Sequence, residues 1–264
     1  MVVVEGLEQG TKEWLMARAG RITASRAAEF SMSMNLAPFP SDAVIVKNGK
    51  MNQCAYNGSV FEDTVKTNVI NAVRESLPGV YPEMRNTYMS ELIAQVCTGE
   101  VKEQAKFKQA EWGHENEDIA RSILAFKLGV EIDEVGFIYM DDEKRAGISP
   151  DGIINDLSAG CEIKCPFDSR HHIDFLLAEK IKTEYVEQCQ FSMWVTGFDK
   201  WYFASYDPRI RIAEHRLKYV IIERDESFMK KYSKAYNAFI SEMDEKLDSI
   251  GFKFEDIYSN QQLS

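Results

Sequence analysis

The stretch Gly147-Ile-Ser-Pro-Asp151-Gly-Ile-Ile-Asn-Asp-Leu-Ser-Ala-Gly-Cys-Glu162-Ile-Lys164-Cys-Pro166 decides how this chain is read. Pro150-Asp151-Gly152 and Ser158-Ala159-Gly160 punctuate two short apolar runs, which predicts strands over 152–155 and 161–165. Side chains alternate along a strand, so Glu162 and Lys164 share one face and Ile163 takes the other. A hairpin-like return brings Asp151 beside them. Two carboxylates supply hard oxygen donors of the kind Mg²⁺ or Mn²⁺ takes. A neighbouring ammonium can orient or help deprotonate a water and offset negative charge. The combination suits metal-assisted hydrolysis of a phosphodiester. Buried without a cation, two carboxylates around one lysine are costly. Taken alone, the same three residues also fit a solvated strand whose outer face carries a Glu–Lys pair.

Outward from this segment, the pattern predicts strands over 135–140 and 145–149 before it. After it come helices over about 171–181 and 184–196, strands over 200–206 and 215–223, and a long terminal helix over 225–249. Near the start, Thr11 and Gly20 bracket a short helix as cap and stop. Thr23 can cap a second helix, with Ser25 in its first turn. Residues 87–98 and about 104–128 read as helices; in the second, Trp112, Ala120, Ile123, Leu124 and Leu128 lie near one face. Turn signals crowd residues 32–85: Pro38, Pro40, Asn48-Gly49, Asn57-Gly58 and Pro78-Gly79. This region reads as an inserted subregion with a small hairpin around Val44-Ile45-Val46 and a helix over 60–75. The fold class is α/β (α+β), a central mixed β-sheet flanked by helices, in one domain over 1–264 carrying the insertion at about 32–85.

A chain of 264 residues is long enough to bury a sizeable core, and 45% hydrophobic with 28% charged residues is the profile of a soluble globular protein. No apolar run approaches the roughly 18 residues of a membrane helix, and Met1-Val-Val-Val-Glu5 lacks the basic start of a signal peptide. The five cysteines are an odd number and scattered, which suits reduced thiols. A cytoplasmic protein with no membrane partner is expected. The net charge of −11 argues against a protein that coats nucleic acid. It leaves room for an enzyme that grips DNA in a local basic groove.

Several blocks then follow one another in a telling order: Gly10-Thr-Lys-Glu-Trp14, Arg18-Ala-Gly-Arg-Ile-Thr-Ala-Ser25, Glu91-Leu-Ile-Ala-Gln-Val-Cys-Thr-Gly99, and Trp112-Gly113 with Glu117 and Ala120-Arg121. The Asp151 to Pro166 stretch is next, then Gln188-Cys-Gln-Phe-Ser-Met-Trp-Val-Thr196, Trp201-Tyr-Phe-Ala-Ser-Tyr-Asp-Pro-Arg209 and Tyr219-Val-Ile-Ile-Glu-Arg-Asp225. The set resembles the bacteriophage lambda exonuclease family, also called YqaJ-type viral recombinases, within the PD-(D/E)XK nuclease superfamily. The resemblance implies a restriction-endonuclease-like core in which Asp151 and Glu162, with the Ile163 carbonyl, ligate two Mg²⁺ ions that Mn²⁺ can replace. It implies that Lys164 positions or activates the attacking water and that Glu117 supports the second metal or its water. Arg18, Ser25, Ser149 and Gln188 match the family's pocket for a 5′-phosphate. The local chemistry agrees: an arginine fork suits a terminal phosphate, and Ser25 near a helix start sits where anions are favoured.

The implied activity is a 5′-to-3′ exonuclease that degrades one strand of double-stranded DNA from 5′-phosphorylated ends. It leaves 3′ single-stranded overhangs for recombination by strand annealing. A ring-shaped homotrimer and a single-strand annealing protein as partner follow from the same resemblance, as does a bacterial cytoplasm if the chain is phage-encoded. Two features depart from the family. Its strand-separating apolar residue falls at Ala110 here, which weakens a wedge role, and the segment 32–85 is longer than its counterpart.

Other readings of the same core are an endonuclease, a single-strand nuclease, or a non-catalytic protein that binds DNA ends. Arg170 suits a phosphate contact or plain solvation. Trp14, Trp112, Trp194 and Trp201 read as core, and Tyr232, Tyr236 and Phe239 as the buried face of the last helix. Cys161 and Cys165 flank the Glu-Ile-Lys triplet and His171-His172 follow, but the spacing is not that of a zinc knuckle.

Overall fold

The stretch Ala159–Lys164 forms a strand, and its alternation sets the packing around it. The computed structural model describes residues 1–101, 108–178 and 180–259. In chain order its elements are β1 (Val2–Val4), α1 (Lys12–Arg18), β2 (Ile22–Thr23), α2 (Ala27–Phe30), β3 (Ile45–Asn48), β4 (Met51–Tyr56), β5 (Ser59–Asp63), α3 (Lys66–Glu75) and α4 (Glu83–Thr98). There follow α5 (Lys108–Leu128), β6 (Phe137–Tyr139), β7 (Ala146–Ile148), β8 (Gly152–Ile154), β9 (Ala159–Lys164), α6 (Ser169–Ala178), α7 (Thr183–Thr196), β10 (Lys200–Tyr206), β11 (Leu217–Glu223), α8 (Glu226–Ser249) and α9 (Asp256–Ser259). The start of the long helix expected from 104 and the Ala110 side chain lie outside the described residues, as does Glu179 of the helix expected over 171–181.

The mixed sheet flanked by helices is present, divided into two four-stranded sheets with strand orders β1-β6-β7-β2 and β11-β10-β9-β8. In the second, β9 runs antiparallel to β8 and parallel to β10. Ala159, Cys161 and Ile163 pack with Ala120 and Leu124 of α5. The other face of β9 is in register with Trp201 and Phe203 of β10, opposite Gly160 and Glu162. A Cβ on Gly160 would lie 2.3 Å from the Trp201 indole, so the close approach of that ring requires glycine here.

The larger core gathers Phe30, Phe191, Tyr232 and Phe239. The Phe30 ring centroid lies 5.5 Å from Phe191, 5.7 Å from Tyr232 and 6.2 Å from Phe239. Burying each such side chain contributes about 1.5–3 kcal/mol. Met229, Tyr232, Phe239, Met243 and Leu247 recur at helical spacing along α8 and are its buried residues. Asp225 caps α8 by accepting from Ser227 N at 2.7 Å, worth about 1 kcal/mol. Tyr236 is only half-buried. No helix among the described residues is long and apolar enough to cross a membrane.

Contacts divide the chain into one unit made of Met1–Ser31 and the chain from Tyr88 onward, and a second of Met32–Thr87. The second is a β3-β4-β5 meander with Cys54, Val69 and Val73 at its core. Asn57 (φ 47°) and Gly58 (φ 79°) both adopt left-handed backbone, the requirement of the two-residue turn that folds β5 back on β4. The helix expected over 60–75 is therefore a strand over Ser59–Asp63 and a helix from Lys66. Asp63 ends the strand, its carboxylate accepting from Val65 N at 2.7 Å and Asn68 Nδ2 at 3.1 Å. The second helix expected near Ser25 is a three-residue 3-10 turn, Ala24–Arg26, followed by the four-residue α2. Thr23 precedes the turn without a capping bond.

Candidate active site

The β8–β9 register pairs Gly152 with Cys161, and one step further sets Asp151 across from Glu162. Asp151 Oδ2 accepts from the Ile163 amide at 2.5 Å. Glu162 is buried, and its Oε1 pairs with Lys164 Nζ. That nitrogen also lies 5.1 Å from the Tyr185 ring centroid. A cavity of about 690 Å³ opens beside Lys164, with Phe167, Lys182, Tyr185 and Phe203 in its walls. Glu117 reaches the same charges from α5, one helical turn before Arg121, whose Nη2 donates to Glu117 Oε1 at 3.2 Å.

Three carboxylates here share one ammonium from the strand. Burial pushes the Asp151 carboxyl well above its ordinary range, and Glu162 and Glu117 push it further. Burial raises Glu117 as well; Arg121 pulls it down and Glu162 adds to the rise. For Lys164, burial favours the neutral amine, but Glu162 and Asp151 outweigh it and the pKa is raised. Such a centre is short of positive charge and rich in oxygen donors, which fits a hard divalent cation. Among the described residues no three Asp, Glu, His or Cys side chains converge as a ready-made metal cage. The oxygen donors that β8 and β9 set side by side are the Asp151 and Glu162 carboxylates, and Mg²⁺ commonly completes so few protein oxygens with water and phosphate. The Cys165 thiol is pushed up to about 12 by burial, then by Glu117 and Asp151, a shift that favours the neutral thiol.

A second cluster forms around Ser149, two residues before Asp151 in the chain. Arg18 Nη1 donates to Ser149 Oγ at 2.9 Å, and Trp14 Nε1 donates to the same oxygen at 2.8 Å. The Arg18 guanidinium stacks 4.2 Å from the Trp14 ring centroid. Burial lowers its pKa, with Tyr88 acting in the opposite sense. Among the described residues no carboxylate lies within ion-pair distance of Arg18. Ser25 is exposed, its hydroxyl 3.5 Å from that of Thr23. Helix α7, which carries Gln188, packs against the turn that carries Ser25.

The two glutamines of α7 separate cleanly. Gln190 is buried, donates to Glu223 O at 2.7 Å and accepts from Asp225 N at 3.0 Å, tying β11 to the cap of α8. The half-buried Gln188 amide makes no hydrogen bond among the described residues and is left available. Gln190→Ala is expected to cost about 1–3 kcal/mol, the penalty for orphaned buried partners. Gln188→Ala should leave the melting temperature within about 1 °C, a shift well inside the ±0.5 kcal/mol of changes that break no buried partner. Thermal melts of the two variants check this.

Arg170 stands apart: its side chain is 84% exposed and folds back on Asp168. Trp201 is fully enclosed, but Trp14 belongs to the Arg18 cluster rather than to the core. Trp112 is half-buried under Arg209, 4.5 Å from its ring centroid, and Trp194 donates to Ser233 Oγ at 3.0 Å. Each has a polar neighbour that helical periodicity does not reveal. Sequence alone gives Arg121, Tyr185 and Trp14 no part in the chemistry. Only the i, i+4 spacing of Glu117 and Arg121 signalled one of them.

Residues 78–199 match the YqaJ-like viral recombinase domain. The chain belongs to the YqaJ-like viral recombinase family. Over 76 residues it is 50% identical to ExoD of Escherichia coli (strain K12), which spans 29% of this chain and 85% of that protein. The fold is similar to that of an alkaline exonuclease (LHK-Exo) from Laribacter hongkongensis, at TM-score 0.65 and 27% identity over 96% of this chain and 100% of the other. That enzyme is also known in complex with dAMP. A phage-related exonuclease from Haemophilus somnus 129PT shares the fold, at TM-score 0.58 and 14% identity over 88% of this chain and 96% of that one.

Proposed function

We propose that this protein is a metal-dependent DNA exonuclease that removes nucleotides in the 5′-to-3′ direction from 5′-phosphorylated ends of duplex DNA. What supports the reading is the junction of the two clusters through Ser149-Pro150-Asp151. Ser149 carries the hydroxyl that Arg18 holds, and Asp151 lies two residues on, at most about 7 Å along the chain. An anion pocket and a hydrolytic centre at that separation suit a terminal phosphate and the next phosphodiester of one strand. The similarity to exonucleases points the same way.

Asp151, Glu162 and the Ile163 carbonyl would hold Mg²⁺ or Mn²⁺, with Glu117 beside a second ion. When bound, the metal supplies Lewis acidity at the phosphoryl oxygen and a more acidic water. Asp151 is aimed by the Ile163 amide, so its carboxylate stays where the strand places it. Lys164 is kept as an ammonium by Glu162 and Asp151, which makes it an orienting cation for water and phosphate rather than a free base. Arg18, an uncompensated guanidinium, binds the 5′-phosphate, with Ser149, Ser25 and Gln188 as hydroxyl and amide partners. The 3′ strand left behind serves recombination by strand annealing. A homotrimeric ring and a single-strand annealing partner accompany this role on the strength of the family resemblance.

End-labelled duplex DNA with Mg²⁺ tests the reading. The 5′-phosphorylated linear duplex should yield mononucleotides from the 5′ label, while covalently closed circles stay intact. Digestion of closed circles would favour an endonuclease, and end binding without digestion a non-catalytic protein. Arg18→Ala should lose roughly 10–100-fold on phosphorylated ends, the worth of a charge-assisted bond of about 1.5–3 kcal/mol, and much less on hydroxyl ends. Equal losses on both ends would remove the pocket assignment.

A further inference from the structure

Arg121 makes four hydrogen bonds from one guanidinium. Its Nε donates to the Asp151 carbonyl at 2.6 Å and its Nη2 to Glu117 Oε1 at 3.2 Å. Its Nη1 donates to Asp118 Oδ1 at 3.0 Å and Glu134 Oε2 at 3.2 Å. The side chain is 12% exposed, whereas Asp118 and Glu134 are exposed. Exposed ion pairs contribute little, so the last two bonds do not explain why this arginine is held. The bond to the Asp151 main chain is the shortest of the four, and it goes to a neutral acceptor. Among the described residues it is also the only side-chain hydrogen bond from α5 to the Ser149–Gly152 segment. A helix-surface ion pair would have no cause to aim its Nε at a strand terminus.

We propose that Arg121 is a positioning residue that locks the main chain of Asp151 and the carboxylate of Glu117 into one relation, so that the oxygen donors of strand and helix meet the cation as a set. The inference rests on reading Asp151, Glu162 and Glu117 as a cation centre. Guanidinium is suited to the task because its donors are fixed in a plane, and two of them here point at different elements. A lysine carries the charge but cannot span both acceptors in a fixed geometry. Arg121 touches neither DNA nor the reacting atoms in this scheme and acts only through Asp151 and Glu117.

The test uses Mn²⁺ alone, without DNA, titrated calorimetrically and by electron paramagnetic resonance into the full chain and into Arg121→Met, Arg121→Lys and Asp151→Asn. Arg121→Met should bind Mn²⁺ roughly 10–100-fold more weakly, the range for lost outer partners of metal ligands. The Mg²⁺ concentration that half-activates DNA degradation should rise by a similar factor. Arg121→Lys should recover little of either. The double variant Asp118→Asn/Glu134→Gln should bind within about 2-fold of the parent, since it removes only exposed bonds. Melting curves report folding; should Arg121→Met not fold, Arg121→Lys carries the test. Parental Mn²⁺ affinity in Arg121→Met, or full recovery in Arg121→Lys, overturns the proposal. Parental protein that binds no Mn²⁺, or Asp151→Asn that binds it normally, overturns the cation centre itself and the proposal with it.

Discussion

Asp151→Asn is expected to abolish Mg²⁺-dependent DNA degradation, by a factor of roughly 10³ or more, and at the same time to make the protein more stable at neutral pH. The loss follows from removing a charged oxygen donor from a centre that offers few. Metal assistance is worth several kcal/mol in the transition state, and each 1.4 kcal/mol is tenfold in rate. The gain follows from the electrostatics of the same carboxylate. Burial, Glu162 and Glu117 raise the Asp151 pKa above its ordinary value of 3.8, so the folded state holds the proton more tightly than the unfolded chain does. That contribution is present in full below the unfolded pKa and is lost as pH rises through the folded one. Glu117, raised for the same leading reason, contributes with the same sign. In chelator, the parent protein should therefore melt at falling temperature as pH climbs above the usual carboxylate range. Asp151→Asn should show a shallower fall and, at neutral pH, a midpoint higher by roughly 2–4 °C, the shift that goes with about 1 kcal/mol at this size. Added Mg²⁺ should raise the midpoint of the parent only. Calorimetry with and without chelator reads all of this. A variant no more stable than the parent in chelator would show that Asp151 is not under charge strain.

The parts of the site legible in sequence are those written as local alternation. Glu162, Ile163 and Lys164 fall on the faces that strand periodicity assigns them, and the two turn clusters flanking β8 return Asp151 to Glu162 within twelve residues. The long elements were legible for related reasons: α8 keeps one helical period over 24 residues, and β10 is a seven-residue, aromatic-rich run buried along nearly its whole length. What sequence hid depends on tertiary partners. Val2–Val4 is three β-branched residues whose strand character is realised only by pairing with Phe137–Tyr139. Asn57-Gly58 is legible as a turn, but the strand after it reads as the start of a helix because Ser59–Asp63 is mostly exposed and its pairing with Met51–Tyr56 is not written in its own apolar pattern. The division into two sheets lies in strand pairing, which periodicity does not encode. Arg121 was hidden because its main acceptor is a main-chain carbonyl 30 residues away.

Lys164→Met separates chemistry from cation binding, and its expected effect on activity is comparable to that of Asp151→Asn. Degradation should fall by roughly 10²–10⁴-fold, the range for removing a positioned proton-transfer or orienting group. Mn²⁺ affinity should persist, because no ligand is lost. Stability should move opposite to that of Asp151→Asn. The Glu162 side chain is 3% exposed and that of Lys164 31%, so deleting the ammonium leaves a buried carboxylate without its partner. Stranding a fully buried charge costs about 3–5 kcal/mol; with Lys164 one-third exposed and partly screened, about 1–3 kcal/mol is expected here. Adding Glu162→Gln to Lys164→Met should recover most of that stability while activity stays lost, because the stranded charge is gone and so is the centre. Groups in contact are the ones whose effects fail to add, and the non-additivity should appear in the melts. Should the double variant remain as destabilised as Lys164→Met, the cost lies in lost packing against Tyr185 rather than in charge. Should Lys164→Met degrade DNA at the parental rate, the Glu–Lys pair is only a strand's ion pair, and the catalytic assignment of Lys164 falls.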